Sequence, residues 1–82
     1  MMGFSLSDNM NPPTRVSKIV HRHSKRVAVM ITKQLASTDW DSYRERSDLR
    51  GWLNGVAIPE TNPDVKREIR ALAIQVGQYE AD

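Results

Sequence analysis

No cysteine occurs in the chain, so disulfide bridges and thiolate metal sites are both excluded. Aromatic residues are few, with two Trp, two Tyr and one Phe, and these must serve as anchors rather than fill a large core. No apolar run approaches the roughly 20 residues a bilayer-spanning helix requires, so no membrane partner is expected. The opening MMGFSLSDNM lacks a basic segment followed by a long apolar stretch, and a secretory signal is not expected there. Alternating strand patterns, internal repeats and low-complexity tracts are absent as well. A cytoplasmic protein is expected from this combination. With 82 residues it holds one small core at most, which oligomerisation would help to stabilise.

Charge is plentiful but uneven. The formal net charge is only +2. Residues 14–36, however, carry Arg15, Lys18, Arg22, Lys25, Arg26 and Lys33 without a single acid. Residues 37–60 lean the other way, with Asp39, Asp41, Glu45, Asp48 and Glu60 against Arg44, Arg46 and Arg50. Concentrated positive charge of this kind suits an anionic partner.

Hydrophobic spacing predicts an all-α protein, a compact domain of about four helices over residues 14–82 preceded by a flexible arm over 1–13. The first helix is expected to start at Thr14 as N-cap and to bury Val16, Ile19, Val20, His23, Val27, Met30 and Ile31. Its six cations gather on the opposite face, a ridge of about 27 Å if the helix runs unbroken from Arg15 to Lys33. The apolar stripe also matches a coiled-coil seam, so a homodimer is a second use for it, the domain's own core being the first. The run TKQLAS either extends this helix or opens another, capped by Thr32. Further on, Trp40 and Tyr43 fall on one face of a helix while Leu49 and Leu53 fall nearly opposite. A break near Arg46–Asp48 resolves that conflict, with Ser47 as N-cap, a helix ending at Asn54 and Gly55 in a left-handed terminating position. The last helix begins with Asn62 as cap and Pro63 in the first turn, burying Val65, Ile69, Leu72, Ala73, Val76 and Tyr79. Ile74 points away from that face, where a second subunit would meet it.

Read together, TKQLAS, SDLRGWLNG-VAIP and VKREIRALAIQVG resemble the helix-turn-helix of phage repressor and Cro-like regulators. Gln34, Leu35 and Ala36 match the second helix of that motif. Trp52, Leu53, Asn54 and Gly55 match the end of its recognition helix. Ile58-Pro59 matches the proline-containing loop after that helix, and Ile69, Leu72, Ala73, Val76 and Gly77 match the helix beyond the loop. The similarity covers residues 32–77. It departs between the two helices, where sixteen positions separate Ala36 from Trp52 and the usual turn glycine is missing. The resemblance implies a variant helix-turn-helix in a phage or mobile-element transcription regulator that binds double-stranded DNA. The residues facing DNA are then Arg44, Arg46, Ser47 and Arg50, because arginine grips guanine O6 and N7 bidentately and serine bonds base or phosphate. Asp48 lies beside them and would repel the backbone. Trp52 and Leu53 are expected in the core.

The basic ridge of Arg15, Lys18, Arg22, Lys25, Arg26 and Lys33 is an addition to that family pattern, suited to phosphate contacts or to an acidic protein surface. No aromatic residue interleaves with it, so stacking on single strands is not indicated. His21 and His23 stand two apart, which on a helix aims them to different sides, and no metal site is expected there. No cysteine nucleophile, glycine-rich phosphate loop or spaced acid–base pair is present, so neither an enzyme nor a cofactor is expected. Asp39 and Asp41 read as helix-start residues. The competing function is a small protein-binding module or inhibitor that docks its basic helix on an acidic partner.

Overall fold

The computed structural model describes residues 12–79, and the arm expected over residues 1–13 lies outside them apart from Pro12 and Pro13. Among the described residues four helices are arranged in order: α1 (Lys18–His23), α2 (Lys25–Ser37), α3 (Tyr43–Ala57) and α4 (Pro63–Gln78). The described residues contain no strand, and the protein is all-α as its periodicity predicts. The most extensive packing joins α3 to α4, while α1 lies against both α2 and α4. Thirteen apolar residues of the described part meet in one core, among them Val20, Ile31, Leu35, Leu53, Val65 and Ile69, each almost wholly enclosed. Burying a side chain of that size contributes about 1.5–3 kcal/mol.

The first helix expected from sequence is in fact two. Thr14 does not cap it. Residues 12–17 precede the helix, and Ser17, with extended backbone, stands in the cap position. Val16 is buried from this lead-in, so a helical turn there would add little burial to offset the cost of nucleating it. The second departure is at Ser24. Its backbone turns to φ −155°, ψ 89°, its N–H still donates to the Val20 carbonyl, and its hydroxyl accepts from the Val27 N–H at 3.3 Å. A serine that caps in this way offers the backbone an alternative to the continuous ladder. The break changes which residues face inwards. Ala28 is fully enclosed, whereas His23, expected on the apolar face, is exposed and Met30 is 39% exposed. Val16, Val20 and Ile31 are buried in the domain's own core, and no unbroken seam runs from Val16 to Ile31.

TKQLAS continues α2 to Ser37. The helix end is closed by side chains, since Thr38 Oγ1 and Ser37 Oγ both donate to the Gln34 carbonyl, at 2.7 and 3.2 Å. Thr32 does not open a new helix, because its hydroxyl donates back to the Ala28 carbonyl at 2.8 Å.

Nor does α3 break near Arg46–Asp48. Ser42, not Ser47, is its cap, accepting from the Glu45 N–H at 3.2 Å while the Glu45 carboxylate accepts from the Asp39 N–H at 2.8 Å. The conflict that suggested a break disappears because Trp40 is not on the helix. It precedes α3, with its indole N–H donating to the Leu35 carbonyl at 3.1 Å, and Tyr43 is left 76% exposed. Leu49, Leu53 and Ala57 then form one buried stripe. Gly55 is not a left-handed terminator either, as no glycine among the described residues has positive φ. The ladder passes over it, with the Ile58 N–H donating to the Asn54 carbonyl, and stops where Pro59 has no N–H to offer.

The start of α4 agrees closely with the sequence reading. Asn62 Oδ1 accepts from the N–H groups of Asp64 and Val65, and Pro63 occupies the first turn. Val65, Ile69, Leu72, Ala73 and Val76 are buried and Ile74 is 60% exposed, as the spacing predicts. Tyr79 lies just past the helix end, half-buried.

Candidate nucleic-acid interface

Arg15, Lys18, Arg22, Lys25, Arg26 and Lys33 are all exposed. Among the described residues none of them makes an ion pair, and the one such pair there is Arg67–Asp64 at 2.9 Å. Their arrangement differs from a single straight ridge. Arg15 sits in the lead-in, Lys18 and Arg22 on α1, and Lys25, Arg26 and Lys33 on α2, with the Ser24 turn between the two helices. The basic surface is therefore jointed. Val29 and Met30 emerge on α2 between Arg26 and Lys33, at 42% and 39% exposure, so the surface is not purely ionic.

The third helix divides its polar residues between two flanks. Arg44 lines a groove against the end of α2, about 710 Å³ in volume, together with Gln34, Glu45, Asp48 and Trp52. The two carboxylates make this groove mixed in charge. Arg46, Ser47 and Arg50 line a smaller notch on the other flank, against the last turn of α4. The structure thus brings three of the four sequence candidates on α3 together and sets Arg44 apart.

Arg46 is the least free of the three. Its Nη1 donates to the Trp40 carbonyl at 2.7 Å, and its guanidinium carbon lies 5.4 Å from the Tyr79 ring centre and 6.0 Å from that of Tyr43. Tyr79 in turn meets Trp40 edge-on, with ring centres 5.4 Å apart. Cation–π contact and a bond to a carbonyl hold this guanidinium in one place. Such an arginine ties the linker before α3 to the end of α4, which removes it from the group expected to reach base edges. Arg50 and Ser47 remain exposed. Trp52 is half-buried and Leu53 fully enclosed, so both serve the core.

Sequence reasoning missed the parts played by Trp40, Tyr79 and Gly77. The two aromatics are far apart in the chain, and no local periodicity links them. Gly77 matters through space. A Cβ at that position would lie 3.0 Å from Arg50 Nη1 and 3.2 Å from Arg50 Cδ. The bare helix surface at Gly77 is what lets the Arg50 side chain lie across the end of α4.

Among the described residues no helix is long and apolar enough to cross a membrane. Comparison with protein-family models, curated proteins and solved structures finds no match to this chain.

Proposed function

We propose that this chain is a non-enzymatic DNA-binding protein. The exposed cations of α1 and α2 grip duplex phosphates, and α3 offers Arg44, Ser47 and Arg50 to the nucleic acid. One observation carries the reading: six cations within residues 14–36 are exposed, without an acid in the segment or, among the described residues, an ion pair to neutralise them. Counterion release makes such a surface a phosphate binder, with affinity that falls steeply as salt rises. The α2–linker–α3 succession supports the variant helix-turn-helix implied by the resemblance. Its linker, residues 38–42, is longer than the three- or four-residue turn of that motif. Transcription regulation, a phage-like origin, a cytoplasmic location and a homodimer through the Ile74 face belong to the same proposal.

A second reading has its own support. Val29 and Met30 gain nothing from phosphates but suit an acidic protein surface with apolar patches. Fluorescence anisotropy on random duplex DNA across a salt series separates the two. Log affinity should fall linearly with log salt concentration, and the Arg22→Ala, Arg26→Ala pair should flatten the slope by about 0.9 per lost contact, whatever the duplex sequence. Negligible binding down to about 50 mM salt, where non-specific contacts are strong, would leave the protein partner as the better reading.

A further inference from the structure

The notch between α3 and the last turn of α4 is lined by Tyr43, Arg46, Ser47, Arg50, Gly77 and Tyr79 and has a volume of about 50 Å³. We propose that it holds one phosphate group of the duplex backbone, with Arg50 and Ser47 as its direct donors and Arg46 as a fixed positive charge behind them. The duplex as the source of that phosphate rests on the proposed DNA-binding function; the oxyanion chemistry of the notch does not.

Size comes first. A cavity of about 150 Å³ holds a benzene ring, so a notch this much smaller suits a compact group better than a base. Charge comes next. Arg46 and Arg50 stand one helical turn apart, a spacing at which like charges repel, and neither has a carboxylate within ion-pair distance among the described residues. An anion between them removes that repulsion. Guanidinium groups match phosphate oxygens with paired N–H donors, and the Ser47 hydroxyl adds another. The helix termini are nearly neutral in the balance. The start of α3 favours an anion and the end of α4 opposes it, so the arginines decide the sign.

Preorganisation completes the case. Arg46 is held by the Trp40 carbonyl and the two tyrosine rings, and Arg50 lies over the bare surface of Gly77. Arg46 in particular has little side-chain freedom left to lose on binding. Arg46 and Arg50 then position the duplex and do not read its bases, in contrast to the role the family resemblance implies for them.

Inorganic phosphate, titrated at constant ionic strength and followed by amide NMR, tests the notch itself. The Ser47 and Gly77 amides should shift together and saturate. Arg50→Ala should weaken the phosphate affinity about tenfold or more, the loss of charged hydrogen bonds. Gly77→Ala should weaken it too, because the new Cβ displaces Arg50, and that Cβ meets none of the residues that hold Arg46. Phosphate shifts that are absent, or that survive in both variants, overturn the proposal. The duplex salt series then tests the source: Arg50→Ala should flatten the slope by about 0.9. An unchanged slope beside an intact phosphate response overturns the duplex as occupant. A phosphate response in a chain that binds no duplex at any salt overturns both the occupant and the DNA-binding reading, and leaves a site for free phosphate.

Discussion

Replacing Gly55 with alanine distinguishes two structures by the sign of the change in stability. In the observed fold, Gly55 is inside α3, its φ is not positive, and nothing lies within 4 Å of a Cβ placed there. Alanine then loses less backbone entropy on folding and meets no steric penalty, so stability should rise by about 0.5–1 kcal/mol. For a domain of this size that is roughly 2–8 °C in Tm, evaluated at 4–8 °C per kcal/mol. The urea midpoint should move up by about 0.5–1 M, given slopes near 1 kcal/mol/M for small proteins. Were Gly55 instead the left-handed terminator of a helix ending at Asn54, alanine would cost about 1–2 kcal/mol and Tm would fall. Gly51→Ala is the control. Gly51 also has open space around it and lies deeper in the helix, so alanine there stabilises under either structure. Gly51→Ala raising Tm while Gly55→Ala lowers it would refute a continuous α3. Circular dichroism during thermal and urea denaturation is sufficient for both variants.

Two other substitutions test how the fold is held together. Asn62→Ala removes an acceptor serving two N–H groups at the start of α4 and should cost about 1 kcal/mol, read as a lower urea midpoint with an unchanged slope. Leu53→Ala empties a fully enclosed position where α3 meets the core and should cost about 2–5 kcal/mol, a large share of the stability of a small domain, visible as a loss of helical signal at moderate temperature.

Legibility of the fold tracked the range of the interactions involved. The entry to α4 could be read because its signals are local: Asn62 caps residues two and three positions on, and Pro63 suits the first turn. The buried stripe from Val65 to Val76 was equally plain, since a helix start places every later residue on the helical wheel. The DNA-facing candidates on α3 were only partly legible. Arg46, Ser47 and Arg50 share a notch, but Arg46 is committed to Trp40 and the two tyrosines, contacts that the spacing within one helix does not reveal.

Residue pattern alone was enough for the all-α class, for the acid-free basic segment and for the cap and core of α4, because composition and short-range hydrogen bonding suffice for each. It was not enough to choose among the serines. Ser17, Ser24, Ser42 and Ser47 have the same capping chemistry, and Ser24 and Ser42 cap α2 and α3 through their hydroxyls. Packing made the choice. Once Trp40 docks on the Leu35 carbonyl and against Tyr79, Leu49, Leu53 and Ala57 can share one uninterrupted helix, so a cap at Ser47 has no purpose. Local chemistry proposes several helix boundaries of nearly equal free energy, and burial of distant side chains against one another selects among them.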